Sequence, residues 1–428
     1  MRHVRRRVLR TAATGGLLLL AAACDVAPEA EHPPVRVAQA PAVLPVPHGT
    51  GSKVPDDFNG DGHRDLILND LAKTRAHTDD PGIGIVYGSP RGLVPGAHQL
   101  LAPRTHAARA GGELPALFEA EASCDLDGDG FTDLVVSTDP PYDGQGRPPV
   151  PLQLLFGSPS GLTGRGVQLT VPDRAREGND WPDQPVCGDF DGDGRADLVL
   201  HATGGKLSYL RGPFTRAGAP RAAAAPIPSP GNLPTGPAAD VDRDGYDDLL
   251  IRTAERSGTT ALVLGGPGGP TRTGAVLPAG IDVALGRFGR GKALDAAVGT
   301  MGGTALRYDL PDAARATLDS PGSVLDAADF DGDGLSELVS SGSRLKLFRG
   351  GASGLSARET VTVAPVTHGT SRVVTAADFD GDGRADLVVR TYRDETQDTV
   401  TVYPGAREGL VARRPAVSFT TRAFLTAP

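Results

Sequence analysis

The chain of 428 residues has little of what marks several common protein classes. It contains three Cys, two Met and one Trp, and 5% of its residues are aromatic. The apolar stretch near its start, residues 11–23, has thirteen residues, fewer than the roughly 20 that a membrane-spanning helix needs. Its arginines are scattered, and its formal net charge is −9. A basic nucleic-acid-binding surface is therefore not expected, and nucleic acid is excluded as a partner.

Glycine and proline are the abundant residues, with 57 and 37 copies. Together they stay below the roughly 25–30% that marks low-complexity chains, so a packed core is expected. Because both residue types interrupt helices, their spread along the chain argues against a mainly helical protein. The composition favours many short strands joined by turns.

The first 50 residues read as export and spacer segments. Five arginines precede the apolar stretch, and the run Leu20-Ala21-Ala22-Ala23-Cys24 resembles a bacterial lipobox. That resemblance implies a signal peptide at residues 1–23 and lipidation of Cys24, which would anchor an exported protein to the outer side of the cytoplasmic membrane. An ordinary secretory signal is the alternative, and the export route, general or twin-arginine, stays open. Residues 24–50 are rich in proline and indicate an extended tether.

The rest of the chain, residues 51–428, is organised by a repeat. The nonapeptide D-x-D/N-x-D-G-x-x-D/E occurs six times, and a seventh, decayed copy lies at residues 287–295. Successive copies are 42 to 68 residues apart, so each repeat has the size of one supersecondary unit. The intact copies begin at Asp57, Asp125, Asp189, Asp240, Asp329 and Asp378.

The nonapeptide has the chemistry of a calcium loop. Ca²⁺ takes about six to eight oxygen ligands, and acids at alternate positions of a tight turn converge on one point. The Gly at position six permits the sharp bend. An EF-hand is excluded, because it needs Glu at position twelve, where this chain has Leu68, Val136, Leu200, Ile251, Ser340 and Val389. Mg²⁺ is disfavoured because it keeps most of its waters.

Each loop runs into an apolar strand, and later in each unit a strand-like run ends in Gly and a turn, as in IVYGSPRGL from Ile85 and LLFGSPSGL from Leu154. With a fourth strand to follow, seven units of four strands predict an all-β, seven-bladed β-propeller. The loops and turns of residues 51–428 resemble the FG-GAP or VCBS repeat family, whose relatives include the N-terminal propellers of integrin α-chains.

The resemblance implies that each acidic loop joins the first two strands of its blade and binds Ca²⁺ through the side chains at positions one, three, five and nine and the carbonyl at position seven. About six ions are expected. Blade five is expected to hold none, because Arg287, Gly289 and Gly291 replace three ligands. The candidate ligands are Asp57, Asn59, Asp61, His63, Asp65, Asp125, Asp127, Asp129, Phe131, Asp133, Asp189, Asp191, Asp193, Arg195, Asp197, Asp240, Asp242, Asp244, Tyr246, Asp248, Asp329, Asp331, Asp333, Leu335, Glu337, Asp378, Asp380, Asp382, Arg384 and Asp386.

A binding surface is expected on the face opposite the acidic loops, where the longest connections should lie, at residues 72–81, 139–149, 171–185 and 393–398. Aromatic and arginine anchors are favoured at interfaces, which selects Tyr142, Arg147, Trp181 and Tyr392. Packing of the aromatic residues beneath their own loops is the alternative.

The function predicted is that of a monomeric, calcium-binding adhesion module for an extracellular protein or glycan. A propeller enzyme acting on extracellular polysaccharide, a lyase or glycosidase, is the alternative. The sequence has neither H-E-x-x-H nor G-x-S-x-G, and most of its paired acids belong to the loops, so no catalytic residue is assigned. Outside the cell, Cys124 and Cys187 are able to form a disulfide, with two buried free thiols as the alternative.

Overall fold

The computed structural model describes residues 43–78, 80–140, 150–180, 182–253, 258–310 and 314–426. Short antiparallel strands dominate these residues and form seven sheets arranged as the blades of a β-propeller, together with one small two-stranded sheet. The expected all-β, seven-bladed fold is confirmed. No helix in the described ranges is long and apolar enough to cross a membrane.

Blades one to four follow chain order. Blade one has β1 (Leu66–Leu68), β2 (Ile83–Val86) and β3 (His98–Leu101), followed by a short helix α1 (Pro103–His106). Blade two has β4 (Leu117–Cys124), β5 (Asp133–Asp139), β6 (Val150–Leu155) and β7 (Val167–Gln168). A 3₁₀ turn (Asp173–Ala175) leads to blade three with β8 (Val186–Gly188), β9 (Asp197–Ala202), β10 (Lys206–Phe214), β11 (Pro220–Ala223) and β12 (Ile227–Pro228). Blade four has β13 (Gly231–Ala239), β14 (Asp248–Thr253), β15 (Thr260–Leu264) and β16 (Arg272–Leu277).

The last three blades repeat the pattern. Blade five has β17 (Asp282–Gly286), β18 (Asp295–Thr300), β19 (Gly303–Tyr308) and β20 (Ala314–Leu318). Blade six has β21 (Val324–Ala328), β22 (Glu337–Ser341), β23 (Leu345–Phe348) and β24 (Thr360–Val363). Blade seven has β25 (Thr370–Ala377), β26 (Asp386–Asp394), β27 (Gln397–Tyr403) and β30 (Val417–Phe419), with the hairpin β28 (Gly405–Ala406) and β29 (Leu410–Val411) inserted. A 3₁₀ helix (Thr421–Thr426) follows.

Two expectations fail in detail. Within the described residues 43–65 blade one has no first strand; residues 49–52 instead lie against the acidic loops, where Gly49 N–H donates to Asn59 O at 3.1 Å and Ser52 N–H to Gly130 O at 2.7 Å. The connection expected to be long at residues 393–398 is a tight hairpin, because β26 extends to Asp394 and β27 begins at Gln397.

The core is divided among the junctions between blades. Each junction holds its own apolar cluster, including the one between blades seven and one. The second residue of every acidic loop is fully buried in the cluster shared with the following blade; these residues are Phe58, Leu126, Phe190, Val241, Phe288, Phe330 and Phe379. Burying an apolar side chain of this size stabilises a protein by roughly 1.5–3 kcal/mol, so each loop is anchored to the next blade.

The junction between blades seven and one closes the ring without exchange of a strand among the described residues. Arg390 of β26 is 3% exposed and donates to Asn69 O and Asp70 O of blade one, both at 2.6 Å. Asp398 balances its charge at 2.8 Å. Phe424 of the final 3₁₀ helix stacks on His98, with ring centroids 4.4 Å apart. The closing contacts are therefore side-chain contacts.

Candidate metal centres

Every intact acidic loop has the same internal hydrogen bonds. The carboxylate at position one accepts the N–H of the Gly at position six at 2.7 to 3.0 Å. The carboxylate at position five accepts the N–H of residue seven at 2.8 to 3.2 Å. Because these bonds fold the loop tightly, its carboxylates are directed toward a common centre.

Five of the loops bring at least three carboxylates together, with ligand atoms within 4.8 Å of one another. In blades two, three and four the carboxylates belong to positions one, three and nine, and in blades six and seven to positions one, three and five. The clusters are Asp125, Asp127 and Asp133; Asp189, Asp191 and Asp197; Asp240, Asp242 and Asp248; Asp329, Asp331 and Asp333; and Asp378, Asp380 and Asp382. Several acidic groups of this chain are thus placed so that they could hold a metal ion.

The acid at position nine connects the loop to the third strand of its blade. It accepts the N–H of a Gly near the end of that strand in all six intact units, at 2.8 to 3.2 Å. A Cβ on any of these glycines would lie well inside van der Waals contact with the carbonyl oxygen of loop position eight. The glycines are Gly88, Gly157, Gly212, Gly265, Gly350 and Gly405. The two repeated sequence features therefore form one structural unit.

The acids at position nine are buried and have raised pKa values. Burial is the largest cause and neighbouring loop carboxylates add to it, whereas the backbone N–H donors oppose it. The pKa of Asp133 rises to about 8, those of Glu337 and Asp386 to about 7, and those of Asp197 and Asp248 to about 6. The positive charge around these carboxylates is too small to stabilise their ionised form, and a bound cation would supply it.

Two observations test whether the loops suit a hard cation. Asp191 Oδ1 and Asp242 Oδ1, both at position three, are buried and have no hydrogen-bond partner among the described residues. A buried carboxylate oxygen without a partner is costly unless a cation contacts it. The ligand atoms that the loops offer to an ion are all oxygens, which Ca²⁺ prefers. The loops fit such an ion.

Arginines from the outer parts of the blades contact the same carboxylates. Arg216 contacts Asp127 and also lies 2.5 Å from Asp129, while Arg272 lies 2.9 Å from Asp244. Further contacts of this kind are Arg221 with Asp193 and Arg349 with Asp331, and within loop seven Arg384, at position seven, contacts Asp382. The acidic face is therefore partly neutralised by the chain itself.

Loop one differs from the other intact loops. Its third position is Asn59, and the Asn59 amide donates to Pro47 O at 3.0 Å and to Asp61 at 3.2 Å. Ser52 donates its hydroxyl proton to Asp57 at 2.6 Å. The contacts with Pro47 and Ser52 involve the segment before the blade, which covers this loop. Asp57, Asp61 and Asp65 are not among the five close clusters.

Blade five replaces the acidic centre with a different arrangement. Asp295 accepts the N–H of Asp309 at 2.7 Å, in the place where the other blades have Gly. Asp309 adopts a φ of 59° and its carboxylate accepts the N–H groups of Lys292 at 2.7 Å and Ala293 at 2.8 Å. These donors lower the pKa of Asp309. A side chain of the blade thus organises this loop internally.

Neighbouring loops contact one another in a regular way. The side chain at position seven lies over the Gly at position four of the preceding loop: Phe131 over Gly60, Arg195 over Gly128, Tyr246 over Gly192, Arg384 over Gly332 and His63 over Gly381. Position four of loop four is Arg243, and the loop that follows has the small Ala293 at position seven. Where position four is Gly, the missing side chain leaves room for the position-seven side chain of the next blade.

The remaining candidate residues have separate positions. Cys124 and Cys187 form a disulfide that joins blades two and three, with Cα atoms 6.3 Å apart. Tyr392 lines a cavity between blades seven and one. Cys24, Tyr142, Arg147 and Trp181 lie outside the described residues. The sequence pattern does not identify Asp309, or the arginines such as Arg216 and Arg272 that reach the loop carboxylates from outside the loops, because these residues lie outside the repeated nonapeptide.

Comparison with known proteins identifies the repeats. The FG-GAP-like repeat family matches residues 125–200 and 311–389. No curated protein matches the chain significantly.

Solved structures with similarity to this chain include a lectin of Agrocybe aegerita that recognises non-reducing terminal N-acetylglucosamine, at 14% identity and a TM-score of 0.40, covering 68% of this chain and 74% of the lectin. BBS1N, solved in complex with ARL6DN, has 12% identity, a TM-score of 0.47, and coverage of 87% and 97%. The V. cholerae biofilm matrix protein Bap1 has 10% identity, a TM-score of 0.36, and coverage of 87% and 91%. Similarities this low say nothing about ligand or activity. The chain is therefore a seven-bladed β-propeller that carries FG-GAP-like repeats.

Proposed function

We propose that this chain is an exported, lipid-anchored propeller that Ca²⁺ stabilises and that serves as a binding module for an extracellular ligand. The lipobox-like run ending at Cys24 supports export and anchoring. The all-oxygen loops, with their partnerless buried carboxylate oxygens, support Ca²⁺. The observation that carries the binding role is a cavity on the face away from the loops, lined by charged side chains and by Tyr392.

In the proposed Ca²⁺ sites the side chains at positions one, three, five and nine hold the ion, with the carbonyl of position seven. That carbonyl belongs to His63, Phe131, Arg195, Tyr246, Leu335 or Arg384. The ion supplies positive charge, which removes the repulsion among the loop carboxylates. Its proposed role is structural, since each loop is anchored in the next blade.

The cavity has a volume of about 560 Å³ and lies between blades seven and one. Its lining comes from the connection after β1, from the start of β25 and from the β26–β27 hairpin. Acidic loops join first to second strands, whereas these segments lie at the other ends of the same antiparallel strands. Cavities of this size are typical of ligand sites.

The binding role is tested by retention of ligands on the purified, immobilised chain. Extracellular polysaccharides and detergent-solubilised surface extract are passed over the chain with Ca²⁺, and retention is compared with that of Tyr392→Ala. We expect retention that is lost in the variant, with no shortening of the polysaccharide. Cleavage of polysaccharide would instead support the enzyme alternative. Equal retention by the unaltered chain and by Tyr392→Ala would contradict a role for this cavity.

A further inference from the structure

The cavity between blades seven and one contains an aromatic ring that the fold holds in place. The guanidinium of Arg390 lies 4.5 Å from the centroid of the Tyr392 ring and covers one of its faces. Arg390 is itself fixed by Asp398 and by two carbonyls of blade one. The ring lines the cavity and is partly exposed, so it presents a rigid apolar surface to a ligand.

Polar groups of both signs surround this ring. Arg372 and Thr370 come from β25, and Asp70 and Asp80 from the connection after β1. Within the part of the chain that the structure describes, the Arg372 guanidinium and the Asp70 carboxylate have no hydrogen-bonded or ionic partner. Asp80 accepts one N–H, from Gly82 at 2.7 Å. The cavity thus offers unused donors on one wall and unused acceptors on another.

This arrangement discriminates between classes of ligand. An anionic ligand would meet Arg372 but also the carboxylates of Asp70, Asp80 and Asp394. A cationic ligand would be placed near the unpaired guanidinium of Arg372, while the second lining cation, Lys73, is paired with Glu395 at 4.0 Å. A hydroxyl group both donates and accepts hydrogen bonds, so it can satisfy carboxylates and a guanidinium at once without adding charge. The C–H face of a sugar ring matches an aromatic surface.

We propose that this cavity binds an uncharged hexose unit of a glycan. The Tyr392 ring packs against the sugar, Asp70 and Asp80 accept its hydroxyl protons, and Arg372 donates to its oxygens. The inference rests on the proposed function, since it names the ligand class of the same binding face.

The test is a titration of the full chain, in detergent and Ca²⁺, with neutral, anionic and cationic tetrasaccharides. Cellotetraose, maltotetraose and mannotetraose are the neutral probes, tetragalacturonate the anionic one and chitosan tetramer the cationic one. Calorimetry or saturation-transfer NMR measures the binding. We expect at least one neutral probe to bind, with affinity reduced at least tenfold by Arg372→Gln and by Tyr392→Ala, and retained by Tyr392→Phe.

Arg315→Gln is the matched control, because Arg315 is an exposed arginine on the outer strand of blade five. Thermal unfolding checks that each variant is folded, and if Tyr392→Ala unfolds, Arg372→Gln alone decides. Neutral probes that fail to bind, or that bind equally to Arg372→Gln, would overturn the proposal. Binding of only a charged probe, or of a surface protein, through Tyr392 would overturn it as well, but would leave the binding module standing. Failure of every probe and every extract would contradict both.

Discussion

At the scale of single residues, the glycine near the end of the third strand has a defined role. Its N–H donates to the buried acid at loop position nine, and it has no room for a Cβ, because the carbonyl of position eight lies against it. The sequence shows this Gly as a repeated letter and predicts a turn. It does not show the partner, which lies 24 residues away in the chain for Gly157 and Asp133. Long-range hydrogen bonds of this kind are not encoded in local spacing.

Gly157→Ala is expected to destabilise the chain. The new methyl group would collide with Thr132 O, and relieving that collision would break the bond to Asp133. We expect a loss of about 2–3 kcal/mol in the free energy of unfolding, measured by urea denaturation. Gly268→Ala is the control, since a Cβ there meets nothing within 4 Å. Equal stability of the two variants would contradict the role assigned to Gly157.

At the scale of the elements, successive acidic loops are coupled by the contact between position seven and position four. The sequence predicts each loop as an isolated ion site, and only the blade geometry brings Tyr246 over Gly192. Between loops four and five the sizes are reversed: position four is the large Arg243 and position seven of the next loop is the small Ala293. This reversal is a signal of the contact that the sequence carries.

A double-mutant cycle tests this coupling. Gly192→Ala would push into the Tyr246 ring and would also strain a residue whose φ is 71°. We expect it to cost about 1–3 kcal/mol, and we expect Tyr246→Ala to recover part of that cost, because the collision is gone. The readout is the unfolding midpoint of the four proteins in Ca²⁺. Strict additivity would show that the two loops are independent.

The disulfide between blades two and three is a second contact between elements. It links Cys124, which precedes one acidic loop, to Cys187, which precedes the next. The two cysteines are 63 positions apart in the sequence. Replacing both cysteines by Ala is expected to lower the free energy of unfolding by roughly 2–4 kcal/mol. Alkylation without reduction provides the direct check, since labelling of both thiols in the folded chain would show that the bond is absent.

At the scale of the whole molecule, the sequence predicts seven blades but not how the ring closes. The number of blades follows from the copies of the acidic nonapeptide. The residues that close the ring, Arg390, Asp398 and Phe424, have no counterparts in the other repeats, so the pattern does not predict them. Tyr392 was selected as an exposed anchor, and it lines the cavity above the closing arginine. The first strand of blade one was expected from the other repeats, and the glycines of residues 49–51 lie against the acidic loop instead.

Arg390 is expected to be the strongest single contributor to ring closure. Removing it would leave Asp398, which is 1% exposed, as a buried charge beside unpaired carbonyls. Arg390→Ala is therefore expected to cost about 3–5 kcal/mol. Arg315→Ala, which removes an exposed arginine from blade five, is the control. Urea unfolding with equal midpoints for both variants would contradict a closing role.

The pKa values of the position-nine acids set the pH dependence of the metal-free chain. Because folding raises these values above about 4, the folded state binds protons more tightly than the unfolded state. The contribution of these acids to the free energy of unfolding is fully present below their unfolded pKa. It is lost as pH rises through their folded pKa values, which are about 6 for Asp197, about 7 for Asp386 and about 8 for Asp133. In chelator, the melting temperature is expected to fall between pH 5 and 8.5. A flat profile would contradict the assigned burial.

The central claim is that the acidic loops are Ca²⁺ sites on which the stability of the propeller depends. Thermal unfolding at pH 7.5 in excess chelator, followed by back-titration with Ca²⁺ or Mg²⁺, tests it most directly. We predict a loss of more than about 10 °C in chelator, restored by millimolar Ca²⁺ and much less by Mg²⁺. A melting curve that chelator leaves unchanged, or that Mg²⁺ restores equally well, would contradict the account.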